Sequence, residues 1–502
     1  MIPTQVENAV GFRTTTVYDA AGRAVAAIDP LARRTTTIYD VLNRRTAVRD
    51  ANGNRTTTVY DAAGRSVAAI NALGFRTTSG YDAAGRRTVL IDATANRVTF
   101  MFDAASRDVG SMDPLARRVT FAYDVANRKT LKADPRGIRI TYIYDADSRV
   151  SVEQYATRRV TYGYDASSNR TRMQDSLGRT TWTFDAKNRS LLAVNPDSKR
   201  ITYGYDVLDR RAATRDPDGG RFTYSYDAKN RLAVLLNPQT KRTTLAYDLL
   251  DRKTVQRQAN GARSMWTYDA AGQLAVLANA SSAGITFNRL TYTYDQAGNR
   301  TRALDLGNVR TTWSYDAAYQ LRTENRAGAG GYNVTYTYDP AGNRAVQFDS
   351  GSRTTLSYDA ANELIRTQAP TGGPTTYSYD QCGNRIQIRP AVGGFTFYKW
   401  DENSRLTQVQ PTGTPVTMTY DGLGRRASKQ TGSMAFIFGF DVDNHAINTV
   451  PKETLIKITK AEDGGIGGKG IWEAATRGYG PGNDTPQNSA YLTGGYVKIA
   501  RS

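Results

Sequence analysis

The chain has 502 residues, with 66 Lys and Arg against 47 Asp and Glu and a formal net charge of +19. No stretch approaches the roughly 20 apolar residues that a membrane-spanning helix needs, and residues 1–20 lack the layout of a secretory signal. With one cysteine, Cys382, and one histidine, His445, the sequence excludes an intrachain disulfide framework, most zinc sites and most His-dependent catalytic triads. No cofactor is predicted.

An aromatic–aspartate pair recurs twenty times, and an arginine stands five residues before the aromatic in most copies and five residues after it in many. Of the nineteen intervals, thirteen are 21 residues and four are 20, and the others are 26 (Tyr268 to Tyr294) and 23 (Tyr315 to Tyr338). A fixed period of this kind indicates a repeat architecture. The structural repeat positions that we select are Tyr18, Asp19, Gly22, Arg23, Tyr39, Asp40, Arg44, Tyr60, Asp61, Gly64, Arg65, Tyr81, Asp82, Gly85, Arg86, Tyr123, Asp124, Arg128, Tyr205, Asp206, Tyr226, Asp227, Tyr294, Asp295, Gly298, Tyr338, Asp339, Gly342, Tyr420, Asp421 and Gly424.

Each period is predicted to be a β-hairpin. The segment before the aromatic alternates β-branched and aromatic residues, as in Thr202–Tyr205, which is typical of a strand. The following Asp-x-x-Gly or Asp-x-x-Asn is typical of a type I turn closed by a residue of positive φ. A second short strand follows, and pairs such as Asp29-Pro30 reverse the chain into the next copy. A helical or leucine-rich solenoid is disfavoured, because the turns break the helical period and leucine is scarce.

The predicted fold class is all-β, with tandem hairpins forming a spiralling, curled sheet. Forty strands at a spacing of about 4.8 Å would make a ribbon on the order of 190 Å wide, which open twisted sheets do not sustain. The sheet must therefore coil on itself.

Three regions are predicted: a lead-in at residues 1–10, the hairpin repeats at 11–430 and a divergent segment at 431–502. The last segment breaks the period, contains five of the chain's 14 lysines and has glycine pairs such as Gly464-Gly465. We interpret it as a shell edge, a truncated end or a remnant effector.

The spaced Tyr-Asp-x-x-Gly-Arg motif, as in Tyr18–Arg23, resembles the YD-repeat or RHS (rearrangement hotspot) family over residues 10–430. This family includes bacterial RHS and wall-associated toxins, the C component of insecticidal toxin complexes and the animal teneurins. The resemblance implies a non-catalytic β shell that encapsulates or presents a C-terminal effector. It also implies secretion or a cell-surface location, with the effector or flanking shell segments as partners.

The chain departs from the bacterial pattern in two ways. No self-cleavage motif of the Asp-Pro-x-Gly-Leu type follows Tyr420–Arg426, and the repeats already run at Phe12-Arg13 with no delivery domain before them. We therefore expect the middle of a larger shell or a truncated gene product. For a truncated product without a signal peptide, residence in the cytoplasm is the alternative to secretion. The sequence does not determine the oligomeric state or the identity of the cargo.

Other kinds of site were weighed against structural roles. The row of aspartates offers one carboxylate per turn, whereas calcium needs several converging oxygens. The tyrosines are expected to pack in ladders, and an alternative is binding of wall polysaccharide through their rings. The arginines are spread at the repeat period beside aspartates, which argues against nucleic-acid binding. Cys382 is interpreted as a turn substitution.

The alternative enzymatic function is a contact-dependent nuclease toxin in residues 431–502. His445, beside Asp441, Asp443 and Asn444, would act as its general base with a carboxylate-bound metal. The spacing of these residues matches no established metal motif.

Overall fold

The computed structural model describes residues 2–328, 330–432, 434–440, 446–448 and 500–501. These residues form strands and turns and contain no helix. The strands are β1 Ile2–Glu7, β2 Arg13–Tyr18, β3 Ala24–Ile28, β4 Arg34–Tyr39, β5 Arg45–Arg49, β6 Arg55–Tyr60, β7 Ser66–Ile70, β8 Arg76–Tyr81, β9 Arg87–Ile91, β10 Arg97–Phe102, β11 Asp108–Met112, β12 Arg118–Tyr123, β13 Lys129–Ala133, β14 Arg139–Tyr144, β15 Val150–Gln154, β16 Arg159–Tyr164, β17 Arg170–Asp175, β18 Gly178–Phe184, β19 Ser190–Val194, β20 Arg200–Tyr205, β21 Arg211–Arg215, β22 Arg221–Tyr226, β23 Leu232–Leu236, β24 Arg242–Tyr247, β25 Lys253–Arg257, β26 Arg263–Tyr268, β27 Leu274–Ala280, β28 Thr286–Tyr294, β29 Arg300–Asp305, β30 Arg310–Tyr315, β31 Leu321–Arg326, β32 Tyr332–Tyr338, β33 Arg344–Asp349, β34 Ser352–Tyr358, β35 Leu364–Gln368, β36 Pro374–Tyr379, β37 Arg385–Arg389, β38 Thr396–Trp400, β39 Leu406–Gln410, β40 Val416–Tyr420, β41 Arg426–Thr431, β42 Met434–Phe440, β43 Ala446–Asn448 and β44 Ala500–Arg501.

The strands pair antiparallel with their neighbours in sequence. In the first repeat, β2 pairs with β3 with Val17 opposite Ala26, and β3 pairs with β4 with Ala26 opposite Thr36. The same register recurs 21 residues later, where Ile38 lies opposite Ala47. The predicted all-β fold of tandem hairpins is confirmed.

The turn after each aromatic combines a type I turn with a bulge. After β6, the Gly64 N–H donates to the Asp61 carbonyl and the Asp61 N–H donates to the Arg65 carbonyl, both at 3.0 Å. The register shifts between Val59 and Tyr60, and Gly64 has a φ of 80°. Such a turn followed by a left-handed residue is a common hairpin connection, and it favours glycine or asparagine at the left-handed position.

The chain divides into two compact units, which we describe separately. Unit 1 comprises Met1–Thr157, Gly204–Thr214 and Gly220–Phe395, and unit 2 comprises Arg158–Tyr203, Arg215–Gly219 and Thr396–Ser502. The buried apolar residues of unit 1 include Ala26, Ala47 and Ala68, which occupy the same position in consecutive hairpins. Those of unit 2 include Val160, Met173, Trp182, Ala193 and Ile201.

The sheet in unit 1 is curled. Residues about 240–270 positions apart in sequence make side-chain contacts there, as between Arg33 and Gln273 or between Asp92 and Asn362. The strip of hairpins therefore returns to itself after about twelve repeats, as the predicted curled sheet requires. His445 and its neighbours Asp441, Asp443 and Asn444 lie outside the described residues, as does most of the segment 431–502.

The long 26-residue interval lengthens one hairpin instead of adding a loop. β27 has 7 residues and β28 has 9, whereas most strands have 5 or 6. Their pairing runs from Val276 opposite Thr291 to Ala280 opposite Thr286, with a register shift between Asn279 and Ala280. The insertion thus extends the return end of this hairpin.

Candidate functional site: the YD turns and the seam

A YD turn is defined here as the five residues that begin with the aspartate after the repeat aromatic. In the second repeat, Asp40 Oδ1 accepts hydrogen bonds from the backbone N–H groups of Leu42 and Arg44, each at 2.9 Å. Its Oδ2 accepts a bond from Arg44 Nε at 2.7 Å. One carboxylate therefore caps the turn and pairs with the residue that closes it. The same Asp–Arg pairing occurs at Asp19–Arg23, Asp61–Arg65, Asp82–Arg86, Asp103–Arg107, Asp124–Arg128, Asp206–Arg210, Asp227–Arg231, Asp248–Arg252, Asp401–Arg405 and Asp421–Arg425.

The closing arginine lowers the pKa of the turn carboxylate. The largest cause is the bond from the arginine's own backbone N–H, and its guanidinium adds a hydrogen bond and a favourable charge. The pKa of the carboxyl is lowered in this way at Asp19, Asp40, Asp61, Asp82, Asp103 and Asp124.

These shifts predict that acid destabilises the repeats. A carboxyl whose pKa is lowered in the folded state binds a proton more readily when the chain is unfolded, so its stabilising contribution is present above its unfolded pKa of about 4 and is lost as the pH falls through the folded value. We expect the urea midpoint of unfolding, followed by circular dichroism, to be level near neutral pH and to fall below about pH 4. A midpoint that stays constant through that range would contradict this role of the turn carboxylates.

The closing arginine also connects neighbouring repeats. Arg44 Nη1 donates to the Asp61 carbonyl of the next YD turn at 3.1 Å, and its guanidinium carbon lies 4.8 Å from the centre of the Tyr60 ring. The ring of the repeat tyrosine is therefore stacked by the arginine guanidinium of the preceding repeat. The same stacking joins Arg23–Tyr39, Arg65–Tyr81, Arg86–Phe102, Arg107–Tyr123, Arg128–Tyr144, Arg210–Tyr226, Arg231–Tyr247, Arg252–Tyr268 and Arg405–Tyr420.

The repeat tyrosine bonds back to the preceding hairpin. The Tyr60 hydroxyl donates to the carbonyl of Arg45, the first residue of β5, at 2.9 Å. Arginine and tyrosine together therefore hold each YD turn against the one before it. Equivalent bonds start from Tyr39, Tyr81, Tyr123, Tyr144, Tyr226, Tyr247, Tyr268, Tyr294, Tyr315, Tyr338, Tyr379 and Tyr420.

The fourth residue of the YD turn has a positive φ, and this predicts the effect of a substitution. A Cβ at Gly64 would meet no atom within 4 Å, so Gly64→Val is disfavoured by the backbone conformation alone and should cost about 1–3 kcal/mol. Gly64→Asn should cost less, because Asn43 and Asn127 occupy the same turn position at φ 62°. Equal melting temperatures for the two variants would contradict this explanation.

Two of the later selected repeats, those of Tyr294 and Tyr338, have a different closing residue. Asp295 and Asp339 accept side-chain bonds from Asn299 and Asn343, at 2.9 and 3.0 Å. The fourth turn residues have φ values of 94° at Gly298, 94° at Gly342 and 81° at Gly424, close to those of Gly22 and Gly85 in the first repeats.

The later YD turns of unit 1 face the return turns of the early repeats. A return turn is the turn that leads from one hairpin into the next, such as Asp29–Arg33. We call this contact, between the return turns at 29–138 and the YD turns at 269–384, the seam. Its bonds join Arg33 to Gln273 at 2.6 Å, Asn52 to Asp295 at 3.0 Å, Asn362 to Asp92 at 3.4 Å and Cys382 to Asp134 at 3.3 Å, and they also join Tyr319 to Asp50.

An ion pair with little solvent exposure lies in the seam. Arg117 Nη2 is 2.8 Å from Glu363 Oε1, and the two side chains are 15% and 13% exposed. Arg117 also pairs with Asp113 in its own turn, at 2.5 Å. Burial raises the pKa of the Glu363 carboxyl, although the Arg117 guanidinium opposes that rise.

Tyr319 takes the turn position that glycine, asparagine, serine or aspartate fills in the other described YD turns. Its φ is 66°, which is unusual for a bulky residue, and its hydroxyl donates to Asp50 Oδ2 across the seam. Burial and this bond raise the pKa of the Tyr319 hydroxyl. A cavity of about 300 Å³ adjoins it, lined also by Phe75, Gln320 and Pro340.

The closing residue of the YD turn changes where the seam begins. From Arg23 to Arg252 the closing residue is arginine in every turn except that of Asn169. In the seam it becomes an amide or a carboxylate, as the series Gln273, Asn299, Gln320, Asn343, Glu363 and Asn384 shows. The seam residues were not predicted from the sequence, and this switch of the closing residue is the signal that marks them.

Unit 2 contains a corresponding contact of its own. Arg158 Nε donates to Glu402 Oε2 at 2.8 Å. The Gly422 N–H donates to Asp175 Oδ2 at 2.6 Å, and its carbonyl accepts a bond from the Tyr162 hydroxyl at 3.3 Å. A YD turn again meets residues about 245–260 positions earlier in sequence.

In the part of the chain that the structure describes, no cluster of three or more His, Cys, Asp or Glu side chains has the arrangement of a metal site. Over the same residues, no helix has the length and hydrophobicity to cross a bilayer. Cys382 lies in its turn with its thiol toward Asp134, and burial raises the pKa of that thiol.

Two family models match this sequence. The teneurin YD-shell model matches residues 241–473, and the RHS repeat model matches residues 18–55, 60–97 and 184–221. The chain belongs to the YD-repeat, or RHS-repeat, family. The YD-repeat chain is thus built as a shell-type scaffold, with the matched motifs lying on the turns described above. No curated protein matches this sequence.

Solved structures share the fold of this YD-repeat chain. A Tc holotoxin pore structure from Photorhabdus luminescens aligns with a TM-score of 0.65 and 16% identity, over 86% of this chain and 27% of that one. A TcdB2–TccC3 structure without the hypervariable C-terminal region aligns with a TM-score of 0.64 and 13% identity, over 87% of this chain and 31% of that one. The chain thus spans less than a third of the length of these neighbours.

Proposed function

We propose that this chain is a non-catalytic segment of a YD shell that encloses a C-terminal effector carried by residues 431–502. The observation that carries the proposal is the seam of unit 1, where return turns and YD turns of distant repeats meet edge to edge. A wall that is continuous from one row of hairpins to the next is what enclosure of a polypeptide requires.

The chemistry of the seam supports a persistent wall. It contains polar bonds between side chains of low exposure, such as Arg117 and Glu363, which exclude water and fix the register of the two rows. The hydrogen bonds from the arginine guanidinium and tyrosine hydroxyl groups between successive hairpins stabilise each row further. Because each turn contacts its neighbours, the resistance to opening is distributed over many repeats.

The proposal includes the partners and location of the shell. Flanking shell segments would continue the rows, and the complete protein would act outside the producing cell or at its surface. The solved neighbours are Tc toxin assemblies, and this kinship in fold supports a role in toxin delivery.

Protease protection in the full-length chain tests enclosure. The same protease recognition sequence would be inserted in one variant after Gly468 and in a control variant between Val41 and Leu42, in an exposed YD turn. We expect rapid cleavage of the control and slow cleavage after Gly468, with equal rates once the chains are unfolded in urea. Equally rapid cleavage of both native proteins would show that the C-terminal segment is presented outside, and would overturn the proposal.

A further inference from the structure

The seam is interrupted at one of its return turns. Within the part of the chain that the structure describes, no polar side-chain contact crosses the seam from the turn 71–75, where both hydrogen bonds of the Asn71 side chain stay inside the turn. The cavity of about 300 Å³ lies at this turn. The other return turns of the seam each make a polar side-chain contact with a facing YD turn, and they are 29–33, 50–54, 92–96, 113–117 and 134–138.

At two other return turns, an arginine of the chain itself holds the corresponding place. Arg33 Nη1 donates to Gln273 Oε1 at 2.6 Å, and Arg117 Nη2 is 2.8 Å from Glu363 Oε1. In the interrupted turn the closing residue is Phe75, whose side chain has no hydrogen-bond donor. The cavity therefore lies at the seam position where the two other turns provide a guanidinium.

A second kind of seam contact is missing at the same place. Tyr319 and Asn362, the fourth residues of their YD turns, bond to the first residues of two return turns, Asp50 and Asp92. The fourth residue of the YD turn that lines the far side of the cavity is Gly342, which has no side chain to bond. Both kinds of contact are lost together at one turn, and this loss leaves the cavity open.

The facing glutamine has the same arrangement as the glutamine that binds Arg33. A Cβ placed on Gly342 would lie 3.1 Å from Gln320 Nε2, and a Cβ placed on Gly298 would lie 3.0 Å from Gln273 Nε2. The Gln320 amide therefore turns its nitrogen toward the next YD turn, as the Gln273 amide does. Its oxygen is left as an acceptor for a guanidinium.

The remaining lining also suits a guanidinium. The Asp50 carboxylate lines the cavity, and its turn closes with Asn54 instead of an arginine. A carboxylate that accepts the Tyr319 hydroxyl retains lone pairs for further donors. The half-buried rings of Phe75 and Tyr319 add aromatic surface, which favours a flat cation.

We propose that this cavity binds the guanidinium group of another molecule. The Asp50 carboxylate is the counter-ion, Gln320 Oε1 is a second acceptor and the Phe75 ring is the stacking surface. A volume of about 300 Å³ is at the lower end for ligand pockets and suits one ligand of the size of arginine. A free small guanidine and an arginine side chain of a polypeptide both carry this group, and the test distinguishes them.

Ligand-observed saturation-transfer NMR with the full-length chain measures the binding of three probes. Ethylguanidine represents a free guanidine, N-acetylarginine amide represents an arginine within a polypeptide, and N-acetylcitrulline amide is the uncharged analogue of similar shape. We expect the citrulline compound to bind at least about tenfold more weakly than the guanidinium probes, because it cannot pair with the carboxylate.

The probes give distinct outcomes. Binding of ethylguanidine alone would support the site and indicate a free guanidine as its ligand, and binding of N-acetylarginine amide would support the site and indicate an arginine of a polypeptide. Absence of binding by both guanidinium probes, or equal binding of the citrulline compound, would overturn the proposal.

Two variants locate the bound group in the cavity. Asp50→Asn removes the counter-charge but retains an oxygen for the turn, as Asn71 does in the next return turn, and should weaken binding at least about tenfold. Asn71→Asp/Phe75→Arg gives the interrupted turn the aspartate and the arginine of 29–33. The new guanidinium should fill the cavity and abolish binding of the probes.

The turn 8–12 provides a matched control for the double variant. Its sequence, Asn-Ala-Val-Gly-Phe, differs at one position from Asn-Ala-Leu-Gly-Phe at 71–75, and the Asn8 side chain caps the same two backbone N–H groups. None of its residues lines the cavity. Asn8→Asp/Phe12→Arg should therefore bind the probes as the unmodified chain does, with circular dichroism to verify folding of every variant. Unchanged binding in Asn71→Asp/Phe75→Arg, or equal loss in the control, would overturn the assignment to this cavity.

Discussion

Asp421→Ala is expected to lower the free energy of unfolding by about 3–5 kcal/mol. Asp421 is 7% exposed, and its carboxylate accepts bonds from the N–H groups of Leu423 and Arg425, at 3.0 and 2.9 Å, and from Arg425 Nε at 2.7 Å. The substitution removes all three bonds and breaks the ion pair between Asp421 and Arg425, whose side chains are both 9% exposed.

Two further variants separate the parts of this effect. Asp421→Asn retains an oxygen for the two backbone N–H groups and loses the ion pair, so we expect a smaller cost of about 1–3 kcal/mol. Asp40→Ala removes the same set of bonds from a more exposed turn, where water replaces them, and should cost less than Asp421→Ala. Urea unfolding followed by circular dichroism measures all three, and equal losses at Asp40 and Asp421 would show that burial of the pair is irrelevant.

The hairpin and its turn could be predicted from sequence because their determinants are local. Asp61, Gly64 and Arg65 lie within five residues, and each has a preference for the turn that does not depend on the remainder of the chain. The run of β-branched residues before Tyr60 likewise favours a strand by itself. Repetition of one unit then extended this local inference along the chain.

The seam could not be predicted in the same way. Its partners, such as Arg33 and Gln273, are 240 residues apart, and the turns that meet are selected by the twist and curl accumulated over about twelve hairpins. A small change in the rotation per repeat would bring a different turn opposite Arg33. The change from arginine to Gln273 is visible in the sequence, but its cause becomes apparent only when the facing turn is known.

The second large effect is expected at Arg117. Arg117→Ala should lower the free energy of unfolding by about 3–5 kcal/mol, because it leaves the Glu363 carboxylate in the seam without its guanidinium partner. Arg33 provides a matched control, since the turns 29–33 and 113–117 have the same sequence, Asp-Pro-Leu-Ala-Arg. Both arginine side chains are 15% exposed and both pair with the aspartate of their own turn at 2.5 Å.

The two turns differ in their partners across the seam. Arg117 contacts the carboxylate of Glu363, whereas Arg33 contacts the neutral amide of Gln273. Arg33→Ala should therefore cost about 1–3 kcal/mol, and the double variant Arg117→Ala/Glu363→Gln should recover the additional stability that Arg117→Ala loses.

The additional loss should also depend on pH. Because burial already raises the pKa of Glu363, and loss of Arg117 raises it further, protonation of Glu363 should relieve the loss of stability in Arg117→Ala. The deficit of Arg117→Ala relative to Arg33→Ala should accordingly shrink as the pH falls through the raised pKa of Glu363. A deficit that is independent of pH, or equal for the two arginines, would mean that the Glu363 charge does not determine the stability of the seam.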